Sequence, residues 1–93
     1  MIRSFRDRDT RRIFHREPVR RWSQDLQRAA LRKLRMLNAA VSLEDLRSLP
    51  GSRLEKLRGD RAGEWSIRVT AQWRLCFDWK SGDAYAVELV DYH

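Results

Sequence analysis

The sequence predicts an α+β domain: an N-terminal helix pair packed on one face of a small, mostly antiparallel β-sheet. Three observations carry this. Apolar residues recur at helical spacing between residues 9 and 39. Alternation at period two takes over from Trp65 onward. The apparent strands are joined by loops of two to four residues, which suit hairpins and cannot hold the crossover of a parallel pair. The 93 residues make a single domain, 1–93, with room for one modest core.

Ile2-Arg3-Ser4-Phe5 alternates apolar and polar, a short strand suited to a sheet edge or a pairing role. A first helix is expected from about Asp9, through Thr10, Ile13 and Phe14, to about Arg16. Pro18 interrupts it or opens the next segment. His15 lies among arginines and reads as a surface imidazole. The second and longest helix spans Ser23 to Ala39, with Ser23 as N-cap and Asp25 in the first turn. Its apolar stripe is Leu26, Ala29/Ala30, Leu34 and Leu37, with Trp22 at the head and Val41 past the end. Arg28, Arg32 and Arg35 fall off that stripe, so the outer face is basic.

Ser42-Leu43-Glu44-Asp45 has the form of a capping box with Asp in place of Glu, opening one turn that carries Leu43 and Leu46 inward. Pro50-Gly51 ends helical structure. Leu54 to Leu57 is a short strand candidate, and residues 58–63 form a polar turn. Trp65, Ile67 and Val69 alternate with Glu64, Ser66 and Arg68. Trp73, Leu75, Phe77 and Trp79 alternate with Arg74, Cys76, Asp78 and Lys80. The tryptophans share the phase of Ile67, Leu75 and Phe77 and are therefore core beneath the helices. After the turn Ser81-Gly82-Asp83, residues 84–90 are apolar on both phases, as in a strand covered on both faces. The chain then closes on Asp91-Tyr92-His93, a carboxylate, a phenol and an imidazole at a strand end.

The formal charge is +7, and 17 of the 20 basic residues are arginine, whose planar fork suits phosphate and carboxylate. The bias is local. Residues 1–35 hold 12 basic and 4 acidic side chains, whereas 36–93 hold 8 and 9. A polyanion surface on the helix pair, or simply a solvated face, accounts for that. The single cysteine, Cys76, excludes an internal disulfide and reads as a small buried residue. With two histidines and no Gly-rich phosphate loop, neither a metal centre nor a cofactor is expected. No apolar run nears the ~20 residues of a membrane span and no signal peptide follows Met1, so the chain reads as cytoplasmic with no membrane partner.

Arg68 and Arg74 lie on the polar phase of neighbouring strands, and Arg58 and Arg61 flank the turn before them. If that phase shares an open face with Asp91 and His93, a cationic floor meets two titratable groups. Such a set suits RNA cleavage by the RNA's own 2′-hydroxyl: a base removes its proton, cations stabilise the phosphorane, and an acid protonates the leaving 5′-oxygen. A solvated strand face is the competing reading.

Gly59-Asp60-Arg61-Ala62-Gly63-Glu64-Trp65-Ser66-Ile67, Gln72-Trp73-Arg74-Leu75-Cys76-Phe77, Gly82-Asp83-Ala84-Tyr85 and the terminal Asp91-Tyr92-His93 together resemble the HigB-type toxins of the RelE/ParE superfamily. Leu43-Glu44-Asp45-Leu46-Arg47 and Arg53-Leu54-Glu55-Lys56-Leu57 extend the resemblance over nearly the whole chain. The resemblance implies a RelE-like fold and a metal-independent endoribonuclease that enters the ribosome and cuts translated mRNA. It implies a helix-turn-helix antitoxin that neutralises the toxin, with operator DNA bound only through the joint complex.

By the same resemblance, Arg74 is a phosphate or transition-state contact and Asp91 and His93 are acid/base candidates. Tyr92 stacks on a base or orients the substrate. Arg58 stands where some members have an active-site lysine; Arg61 and Arg68 are expected to join it in binding RNA from their places in the turn and on the polar phase. The basic charge of the helix pair, separately from the resemblance, gives the expectation that Arg28 and Arg32 bind ribosomal RNA or an acidic antitoxin surface. One departure stands out: some members carry a histidine two residues before the Leu-Lys/Arg-Gly-Asp run, and this chain has Glu55 there, either a replacement base or a surface ion-pair partner. Two other activities fit the superfamily, gyrase inhibition of the ParE type and a weakly active toxin serving as co-repressor.

Overall fold

The two periodicities meet in one core. This computed structural model describes residues 1–92. Among them, three helices, α1 (Arg8–Phe14), α2 (Gln24–Ala39) and the short α3 (Leu43–Arg47), precede β1 (Glu55–Lys56), β2 (Trp65–Arg68), β3 (Trp73–Lys80) and β4 (Asp83–Asp91). The strands form a four-stranded sheet, antiparallel throughout, in the order β1-β2-β3-β4. No helix among the described residues is long and apolar enough to cross a membrane.

Local chemistry sets the helix ends. Asp7, two residues before the expected start, caps α1 by accepting from the Thr10 amide at 3.0 Å. Ser23 caps α2 through the Leu26 amide at 3.1 Å, and both halves of the Ser42/Asp45 box are formed. Leu26, Ala30, Leu34 and Leu37 of α2 are buried and cluster with Ile67, Leu75, Phe77, Val87 and Leu89 of the sheet. Trp65, Trp73 and Trp79 pack against this core while remaining partly exposed. Val41 does not extend the stripe: past the end of α2 it is 76% exposed. The strand expected over Leu54–Leu57 shortens to Glu55 and Lys56, and the polar turn contains one 3₁₀ turn, Gly59–Arg61.

The terminal strand differs from expectation in an informative way. Its apolar residues occupy both phases in part because β4 carries a bulge, which moves the helix-facing set from one phase to the other. Asp78 pairs with Tyr85 and Cys76 with Glu88, so Phe77 faces two residues, Ala86 and Val87. Ala86 takes φ 53°, and the inward phase shifts from Ala84 to Val87 and Leu89. Tyr85, Glu88 and Val90 are left half-buried on the other face.

At its outer edge β4 is shielded by the N-terminal segment, where Ile2 and Phe5 form parallel bridges with Ala84 and Val87. Past Val87 the buried hydroxyl of Thr10 on α1 takes over, accepting from the Leu89 amide at 3.0 Å. Asp83 anchors the start of this arrangement, 3.3 Å from the Met1 ammonium and 3.2 Å from Arg3 Nε. Desolvation alone would raise the Asp83 pKa; the bonds from Arg3 and the amino terminus outweigh it and hold the carboxyl below its ordinary value. A depressed pKa contributes stability above the unfolded value of about 3.9, lost as pH falls through the lower folded value. Asp83→Asn is therefore expected to lower Tm at pH 7 by a margin that closes below about pH 4. A pH-independent margin in thermal unfolding would refute this.

Candidate functional site

Register assembles the site. Glu55, Ser66, Cys76 and Glu88 stand in one row across the sheet, and Arg68, Arg74 and Val90 in the next. Both rows point away from the helix-covered row of Ile67, Leu75 and Leu89, because side chains alternate along each strand. The second face thus gathers charge from residues far apart in the chain.

Arg74 is the centre of this face, and it is buried, with 7% of its surface exposed. Its Nε donates to Ser66 Oγ at 2.8 Å, and Nη2 donates to the carbonyl oxygens of Arg53 and Ser66. Nη1 faces Glu55, whose Oε1 lies 3.6 Å away and whose side chain is more than half exposed. The Tyr92 ring lies to one side, 5.9 Å from the guanidinium carbon to the ring centroid. Nε and Nη2 are thus turned into the protein, while Nη1 points toward a solvated carboxylate.

The other predicted residues divide. Arg68, directly opposite Arg74, is half-buried and donates through Nε to the Thr70 carbonyl at 3.2 Å. Arg58 is exposed at the start of the 3₁₀ turn. Arg61 turns to carboxylates, 2.9 Å from Glu88 and 3.2 Å from Glu64. Partial burial pulls its pKa down, but the Glu88 bond and the two carboxylate charges outweigh it and raise the pKa above its ordinary value. Arg61 thus ties its turn to β4.

Asp91 pairs with Trp73, one step out of phase with Val90 and Tyr92, and its carboxylate accepts from Gln72 Nε2 at 3.1 Å. Tyr92, 42% exposed, is fixed through its amide to the Gln72 carbonyl at 2.7 Å. His93 lies outside the described residues. Cys76 is buried, and burial pushes its thiol pKa up, which leaves it unsuited to nucleophilic work.

Arg28 and Arg32 lie on α2, on the helical side of the molecule. Arg28 is paired with Asp25 at 2.5 Å, whereas Arg32 is exposed. Partial burial lowers the pKa of Lys33, and the charge of Arg32 lowers it further. On α1 and just beyond it, Arg8, Arg11, Arg12, His15 and Glu17 line an open cleft of about 480 Å³. Arginine spacing pointed to this basic region without distinguishing the cleft. Sequence alternation missed Ser66 and the Arg53 carbonyl, since nothing local marks a serine or a backbone oxygen as the partner of a distant guanidinium.

Residues 3–93 match the family described as RelE-like toxin of type II toxin-antitoxin system HigB. The chain belongs to that family. It is 35% identical to the protein named Endoribonuclease HigB of Proteus vulgaris over 94 residues, which covers all of both chains. It is 48% identical to Toxin HigB-1 of Vibrio cholerae over 59 residues, 63% of this chain and 62% of that one. As a type II toxin it has a cognate antitoxin as partner.

Ser66 is the test of how this toxin tolerates a buried cation. Ser66→Ala leaves the Arg74 Nε donor without its side-chain acceptor and is expected to destabilise the fold by about 1–3 kcal/mol in urea unfolding. A loss under about 0.5 kcal/mol would mean that this donor finds another acceptor.

Proposed function

We propose that the chain is a ribosome-dependent endoribonuclease that cuts translated mRNA at the Arg74 face and is neutralised by a helix-turn-helix antitoxin. One observation carries the reading: an internally fixed guanidinium, Arg74, whose outward edge meets an exposed carboxylate, Glu55. The name borne by the full-length Proteus vulgaris relative supports it.

The chemistry follows from placing a phosphodiester over Nη1 of Arg74. Glu55 takes the proton of the 2′-hydroxyl as that oxygen forms its bond to phosphorus. The negative charge that develops on the phosphorane oxygens is met by Arg74, which is already oriented and needs no rearrangement. The bond from phosphorus to the 5′-oxygen then breaks, and a proton from the terminal segment, where Tyr92 lies beside Arg74, completes the 5′-hydroxyl. A 2′,3′-cyclic phosphate remains on the upstream fragment. Tyr92, lying beside Arg74, supplies an aromatic face for a neighbouring base. The departure at Glu55 is thereby a substitution of one base for another.

The assay compares mRNA on programmed ribosomes with the same RNA free in solution. Glu55→Gln is expected to lower kcat about 10²–10⁴-fold, the usual worth of a general base. Arg74→Lys is expected to lower it about 10²–10³-fold while retaining a buried charge. Absence of ribosome-stimulated cleavage by the wild type would sink the reading. Unchanged toxicity in both variants would direct attention to a target, such as gyrase, that needs no proton transfer.

The basic helices supply the second part of the proposal, binding of ribosomal RNA through Arg32, Arg28 and the cleft around Arg8, Arg11 and Arg12. Arg32→Glu is expected to weaken ribosome binding more than Arg28→Glu, because Arg28 already shares its charge with Asp25. The slope of log affinity against log salt is expected to become shallower by about one for each phosphate no longer neutralised. A salt-independent loss in a binding titration would assign these residues to a protein partner instead.

A further inference from the structure

The segment between α3 and β1 contains a residue whose backbone is out of the ordinary for its type. Arg53 has φ 45°, in the left-handed region that glycine enters freely and an arginine enters only when its surroundings impose it. Its surroundings do impose it. The preceding residue, Ser52, is fully buried; its Oγ lies 2.6 Å from the Leu46 carbonyl, its amide donates to Leu49 at 3.2 Å, and its carbonyl accepts from the Arg68 amide at 2.6 Å. Two residues later Glu55 enters the sheet opposite Ser66. Between these anchors the Arg53 carbonyl accepts from Arg74 Nη2, while the Arg53 residue itself is exposed.

We infer that Arg53 is a positioning residue for the reaction and acts through its main chain. A left-handed residue reverses the local course of the chain, and here that reversal turns the Arg53 carbonyl onto Nη2. With Nε held by Ser66 and Nη2 by Arg53, the guanidinium plane is fixed from two sides, and Nη1 is the edge left to face Glu55. An ordinary negative φ at this position would swing the carbonyl away. Arg74 would keep its charge but lose its aim, and charge that must reorient during the reaction stabilises a transition state less well. Strain of this kind, held at an exposed residue by a buried serine, is explained by the carbonyl's task. The inference rests on the nuclease reading and adds to it a backbone group outside the residues that touch RNA.

The test compares Arg53→Gly, which keeps the backbone geometry and removes the side chain, with Arg53→Val, whose branched β-carbon disfavours it. Ribosome-programmed cleavage gives kcat and KM for each, and the NMR signal of the Arg74 Nε–H reports the guanidinium directly. Arg53→Gly is expected to retain kcat within about threefold, whereas Arg53→Val lowers it about 10–100-fold with KM within about threefold and a displaced Arg74 signal. If Arg53→Val does not fold, Arg53→Ala is expected to show the same order with a smaller fall. Equal losses in the glycine and valine variants would assign the effect to the side chain and overturn the inference. So would wild-type kcat in both. Failure of the wild type to cleave is read in its own reaction and removes the nuclease reading, a result distinct from either.

Discussion

A guanidinium cannot be taken out of water in a small protein unless its donors are met on the way in. An unpaired buried charge costs several kcal/mol, a large part of the total stability of a domain this size. That constraint organises the open half of this molecule. Arg74 on β3 is satisfied by Ser66 on β2 and by the Arg53 carbonyl from the segment leading into β1. The strand pairing, the buried Ser52 and the strained Arg53 are therefore parts of one arrangement. Its net effect is to hold one cation rigidly with an edge turned outward.

The two faces of the sheet divide the work. The helix-covered face supplies cohesion through Leu34, Leu37, Ile67, Leu75, Phe77 and Val87, all without exposed surface. The other face supplies charge, with its ion pairs arranged so that only some cations remain available. Arg61 is neutralised by Glu64 and Glu88, and those bonds keep the 58–63 turn on the sheet. Arg74 keeps its outward edge. The formal charge of +7 is thus an imperfect guide to where exposed positive charge lies, because an arginine spent on carboxylates, as Arg61 is, counts toward it as fully as any other.

Much of the architecture was legible in the chain. The Ser23 cap, the α2 stripe and the Ser42/Asp45 box depend on neighbours within a few residues, and they appear as expected. So does the antiparallel order of β2, β3 and β4, since loops so short leave no other connection. The errors fall where a local signal has two physical causes. Apolar residues on both phases of the last strand arise from two covered faces or from a bulge, and only pairing with β3 reveals the latter. Val41 continues an apolar spacing, yet the helix has already ended and the side chain meets solvent.

The candidate site was legible as a set of residue types and not as an arrangement. By itself the sequence determined that Arg68 and Arg74 share a phase and that a carboxylate, a phenol and an imidazole follow one another at positions 91–93. Helical and strand periodicities determine such sharing locally. Only the tertiary structure decided that Arg74 is buried, that Arg61 is spent on carboxylates, that Asp91 lies out of phase with Tyr92, and that Glu55 is the carboxylate beside the cation. These follow from register, which joins residues 55, 66 and 74 on three strands with residue 53 before β1 and residue 92 just past β4. Register is fixed by packing the whole core at once, and no window of the sequence contains it.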